Sequence, residues 1–70
     1  MLERINDVDY RFRIEDENTL LALNIINFEM LFLKGKTKEY ITDLLDGKVP
    51  EIISQKNIDI LKKKKIILED

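Results

Sequence analysis

Cysteine and histidine are both absent from this chain. Without cysteine there is no disulfide and no thiolate nucleophile. Without histidine the commonest general base is missing, and without either the usual zinc ligands are gone. Glycine occurs only twice, and Gly35-Lys36-Thr37 lacks the preceding glycine at the spacing with which a phosphate loop cradles its ligand. It reads as a turn followed by a helix N-cap. No apolar run is long enough to cross a bilayer, and Met1-Leu2-Glu3-Arg4-Ile5-Asn6-Asp7 carries charge where a secretory signal needs an apolar stretch. These absences predict a cytoplasmic protein with no membrane partner.

The carboxylates do not replace the missing chemistry. Asp43 and Asp46 lie three apart on the polar side of a helix that must bury Tyr40, Ile41, Leu44 and Leu45, and Asp16-Glu17 sits in a turn with no calcium-loop spacing around it. No metal, no cofactor and no enzymatic activity are expected.

What is present suits a single domain, 1–70, of modest stability that gains from a partner. Met1 and the charged end Glu69-Asp70 lead to the expectation of a free-standing small protein. The net charge is −2 with acids dispersed along the chain, so nothing draws the whole molecule to nucleic acid. The run Lys62-Lys63-Lys64-Lys65 is the local exception. It fits a solvated helix face whose cations offset the macrodipole, or a contact with an anion or an acidic peptide.

Val8-Asp9-Tyr10-Arg11-Phe12-Arg13-Ile14-Glu15 alternates apolar with charged residues, the period of a strand that buries Val8, Tyr10, Phe12 and Ile14. Asp16-Glu17-Asn18-Thr19 supplies turn formers. Leu20–Ile26 and Met30–Leu33 are apolar on both parities, the first suited to a sheet centre and the second placed at an edge. Thr37 then caps a helix that carries Glu39 in its first turn and stops on Gly47. Val49-Pro50-Glu51-Ile52-Ile53-Ser54 fits a second helix with Pro50 in its first turn, and Asn57 fits the cap of a third running to about Lys64. Ile66-Ile67-Leu68 returns to the core as a β-like or coil tail. The expectation is an α+β, winged-helix-like fold, a three-stranded antiparallel sheet followed by three helices. A winged-helix DNA-binding or regulatory domain is the competing functional reading, opposed by the acidic charge and by the lack of arginine or a base-reading pattern on the last helix.

Phe12–Leu23, Met30–Leu33 and Thr37–Lys48, with Leu44-Leu45-Asp46-Gly47-Lys48 as the sharpest element, resemble the PqqD-like family of RiPP recognition elements. The chain departs from that pattern at Lys34-Gly35-Lys36, where an asparagine is common, and in its short second helix. The resemblance implies a peptide chaperone of natural product biosynthesis. Such a protein binds the leader of a precursor peptide as a strand added beside strand three and delivers it to a modifying enzyme, often a radical SAM maturase. Carried over by position, the groove would use Met30, Leu31, Phe32 and Leu33 from the sheet and Ile58, Leu61, Lys62 and Lys65 from the last helix. For Met30 and Phe32 plain core packing is the other reading. The edge could also pair with itself, so a monomer or an edge-paired homodimer is expected.

Overall fold

The structure, a computed structural model, describes residues 3–69. Met1, Leu2 and Asp70, on which the reading of the termini partly rested, lie outside the described residues. Seven elements follow in order: β1 (Glu3–Ile5), β2 (Tyr10–Asp16), β3 (Thr19–Asn24), β4 (Met30–Lys34), α1 (Gly35–Leu45), α2 (Gln55–Lys63) and β5 (Ile67–Glu69). β2, β3 and β4 form an antiparallel meander in sequence order, and β1 pairs antiparallel with β5 in a separate two-stranded sheet. The expected winged-helix-like plan of three helices behind a single sheet is therefore wrong. The fold is α+β with two helices and five strands in two sheets.

The missing helix is the stretch 49–54. Val49 and Ile52 there stand 95% and 98% exposed, and only Ile53 reaches the core. A helix burying all three needs a surface to pack against, and β-branched residues in so short a segment give it little intrinsic support. The last helix also begins earlier than expected. Ser54, with extended backbone, accepts a hydrogen bond from the Asn57 N–H, so Ser54 and not Asn57 is the N-cap. Likewise α1 starts at Gly35 with Lys34 as a cap that makes no side-chain bond, which leaves Thr37 inside the first turn.

In the meander, Phe12 opposes Ala22 and Ile14 opposes Leu20, while Leu20 and Ala22 oppose Leu33 and Leu31. Period two places these residues on the helix-facing side. Ile14 nonetheless stays 68% exposed beside a register irregularity between Ile14 and Asp16. Val8 is exposed because it lies in a turn before β2 rather than in the strand. Asp16 opens the β2–β3 turn by accepting the Asn18 N–H at 2.8 Å, the main cause holding its carboxyl below the usual aspartate value. The core joins Tyr10, Leu20, Ala22 and Leu33 of the sheet to Tyr40, Ile41, Ile58 and Leu61 of the helices, and Ile66 and Ile67 close it.

Both helices end in a Schellman arrangement. In α1 the Lys48 N–H reaches the Asp43 carbonyl and the Gly47 N–H reaches Leu44, with Gly47 at φ 75° as expected for its C′ position. In α2 the Ile66 N–H reaches Leu61 and the Lys65 N–H reaches Lys62, but here a lysine holds φ 60°. The end of α2 is then clamped from outside. The Tyr10 hydroxyl donates to the Lys64 carbonyl at 2.6 Å, the Asn6 side chain donates to the Lys65 carbonyl at 2.9 Å, and the Asn6 N–H donates to the Ile66 carbonyl at 2.9 Å.

Two substitutions should move stability in opposite directions. Tyr10→Phe removes one clamp bond and should cost about 1–2 kcal/mol, whereas Lys65→Gly relieves the left-handed lysine and should gain about 0.5–1 kcal/mol after the entropy of glycine is subtracted. Urea unfolding of both variants against the parent checks the two signs.

Candidate functional site

β4 lies at an edge of its sheet, and the phase of its hydrogen bonds follows from its hairpin. The Asn24 N–H donates to the Glu29 carbonyl, so that facing pair is hydrogen-bonded. Alternation along an antiparallel ladder makes Ala22–Leu31 and Leu20–Leu33 the next bonded pairs. The N–H and C=O groups of Met30 and Phe32 therefore point away from β3, toward the open edge. The hairpin loop is closed by the Phe28 N–H on the Asn24 carbonyl, with Phe28 at φ 63°.

Beside this edge runs α2, and the two bound a groove of about 190 Å³. Leu31, Phe32 and Leu33 line it from the strand, and Asn57, Ile60 and Leu61 line it from the helix. Lys34 and Thr37 close one end. Leu33 and Leu61 are core residues that form its floor, whereas Ile60 at 44% exposure and Phe32 at 54% are open to solvent.

Of the eight residues expected to form the site, Leu31, Phe32, Leu33 and Leu61 come together in this groove. Met30 shares the outer sheet face with Phe32 by parity, is 61% exposed and lies outside the groove. The other three helix residues face elsewhere. Ile58 is buried and borders a different hollow beside Tyr40 and Ile53. Lys62 is bound to Glu69 at 2.7 Å, and that hydrogen bond is the first cause holding its ammonium above the ordinary lysine value. The pairing has a reason: β1–β5 register sets Glu3 opposite Glu69, and Lys62 offsets the like charges while the Tyr40 hydroxyl contacts Glu3 at 3.4 Å. Burial first, and then the charge of Glu3, pushes the Tyr40 phenol up. Lys65 lies past the helix end in a hollow with Asn24 and Asn27.

Sequence reasoning followed the stripe through Ile58, Leu61, Lys62 and Lys65, which packing turns toward the core and β5. It passed over Asn57 and Ile60, spaced i and i+3, which line the groove from the helix. The signal was present in Ile60, an apolar residue left over once Ile58 and Leu61 are assigned to the core.

Chemically the groove offers a strand edge and an apolar floor. Among the described residues no group of acids could hold a metal, no buried side-chain polar atom lacks a partner, and no helix is long and apolar enough to cross a membrane.

Floor and wall differ in what they contribute to the fold. Leu61→Ala should cost about 2–5 kcal/mol, while Ile60→Ala should cost under about 1 kcal/mol, as read by thermal or urea unfolding. Comparable losses would mean that Ile60 is a core residue and not an open wall.

Compared with protein-family models, with curated proteins and with solved structures, the chain matches none.

Proposed function

We propose that this chain is a non-catalytic, cytoplasmic binding protein that takes the leader of a ribosomally synthesised precursor peptide as a strand added to β4 and presents it to a modifying enzyme. The observation that carries the reading is the open β4 edge, with the outward backbone groups of Met30 and Phe32 beside the apolar groove under α2. Strand addition takes its affinity from main-chain hydrogen bonds and its selectivity from pockets for alternate side chains. The family resemblance supplies the leader as the peptide and a radical SAM enzyme as its recipient.

Two features of the molecule support this use of β4. The strand is apolar and unbroken by proline, and α2 walls the edge on one side without filling it. Of the expected helix residues Ile58, Leu61, Lys62 and Lys65, only Leu61 lines the groove, as floor, and Asn57 and Ile60 form the wall, so apolar contact replaces lysine contact at its centre.

The test is an NMR titration with the leader of a precursor encoded beside this gene. Amide shifts should concentrate in Met30–Lys34 and in Asn57–Lys64. Shifts confined to other elements, or binding of duplex DNA with a steep salt dependence and no binding of leader, would overturn the reading. Phe32→Pro removes an outward N–H without removing a ladder bond, and should weaken binding about fivefold to tenfold beyond Phe32→Ala, which removes only the side chain.

A further inference from the structure

The β3–β4 hairpin loop is fixed from within, and every backbone N–H from Ile25 to Glu29 has a partner inside the molecule. Ile25 donates to the Asp9 carbonyl and Phe28 to the Asn24 carbonyl. Ile26 and Asn27 donate to the Asn24 side-chain oxygen, and Glu29 donates to that of Asn27. The Asn27 amide is tied back in turn onto the Glu29 carboxylate at 3.0 Å. What the loop presents outward is apolar. Ile26 and Phe28 stand 69% and 76% exposed, and Val8, the neighbour of the Asp9 that anchors Ile25, is exposed as well. Phe28 also holds φ 63°, a conformation that a bulky side chain rarely adopts. The core does not use its ring, and the bond that closes the loop comes from its backbone.

Lysines flank the same loop. Asn24, Asn27 and Glu29 share a hollow with Lys63, Lys64 and Lys65 and with Asp9 and Tyr10. Among the described residues none of these three lysines makes an ion pair, and the carboxylates of Asp9 and Glu29 accept from the Asn6 and Asn27 amides. Asp7 lies at this end too, where Arg11 donates to its carbonyl. With Arg11 set against Asp7, the lysines leave a small cationic excess over Asp9 and Glu29. A protein partner can supply hydrogen bonds to a loop, and hydrocarbon cannot. A loop with no N–H left to satisfy and with apolar side chains outward is therefore suited to a lipid surface. We infer that Ile26 and Phe28 seat the hairpin tip in the interface of an anionic lipid surface, with Lys63, Lys64 and Lys65 against its phosphate groups. The expectation of no membrane partner came from the lack of a spanning run, which bears on crossing a bilayer and not on resting against one. This contact goes beyond leader docking and does not depend on it.

The chain has no tryptophan, so Phe28→Trp places a single reporter at the tip. With vesicles of phosphatidylcholine and phosphatidylglycerol its emission should move to the blue and be quenched by brominated lipid. Binding should be about fivefold weaker on phosphatidylcholine alone, and weaker by a similar factor when Lys63→Gln, Lys64→Gln and Lys65→Gln are combined. Without the reporter, Phe28→Asn should lower vesicle co-sedimentation about tenfold. Its urea midpoint should hold or rise, because asparagine accepts the left-handed backbone, which separates loss of the ring from loss of the fold. Emission unmoved by both vesicle types overturns the inference, as does Phe28→Asn binding like the parent. Equal binding to the two lipids, unaffected by the lysine changes, overturns the anionic surface. A shift that appears only with a soluble protein, such as a modifying enzyme encoded beside this gene, replaces the lipid contact with a protein one.

Discussion

The placement of α2 depends on how its C-terminal carbonyls are satisfied. A helix end leaves acceptors without intrahelical donors, and here the main chain of Lys65 and Ile66 covers Lys62 and Leu61, while Tyr10 and Asn6 cover Lys64 and Lys65. Tyr10 begins β2 and Asn6 follows β1, so two side chains join the helix end to both sheets. Asn6 is 5% exposed and fully engaged, its amide oxygen accepting the Asp9 N–H and its own carbonyl accepting from Tyr10. Removing either clamp residue leaves a helix-end carbonyl short of a partner and frees α2 to shift. With that end fixed and Ile58 and Leu61 in the core, the stripe through Asn57 and Ile60 has one place left to face, the side of β4.

The two edges of the meander are treated differently. β2 carries Arg11, Arg13 and Glu15 along its length and a register irregularity near its end, devices that discourage pairing with another chain. Arg13 is moreover tied to Glu15 at 3.0 Å. β4 has a single charge, Lys34 at its end, and keeps a regular register with β3 from Met30 to Lys34. A small domain gains nothing from leaving such an edge bare unless something else uses it. The asymmetry is why the proposed docking is assigned to β4 and not to the sheet in general.

The meander was legible because its signals are local: alternation in Tyr10–Ile14, turn formers at Asp16–Thr19 and an apolar run at Leu20–Leu23. Gly47 was legible for the same reason, since a left-handed C′ residue is usually glycine. The β1–β5 pairing was not, because two three-residue strands from opposite ends of the chain have no periodicity to show and pair only once Ile5 and Ile67 meet at the core. The stretch 49–54 misled because its spacing of Val49, Ile52 and Ile53 suits a helix, and spacing says nothing of whether a surface exists to bury them. In the candidate site the strand half was readable from hydrophobicity alone. The helix half turned on whether Ile58 or Ile60 joins Leu61 in the core, a choice that packing makes and sequence leaves even.

A strand edge by itself accepts almost any extended chain, because every residue offers the same backbone groups. Selectivity has to come from side chains held at fixed distances from that edge, and on a helix those distances are only as fixed as the helix. The hydroxyl of Tyr10 binds the carbonyl of Lys64 at the end of α2, one turn beyond Ile60. The bond that completes the helix end therefore also helps to hold Ile60 beside β4, with Leu61 in the core next to it. Under the proposed docking, the contacts that hold the fold together are also the ones that place the helix side chains beside that edge.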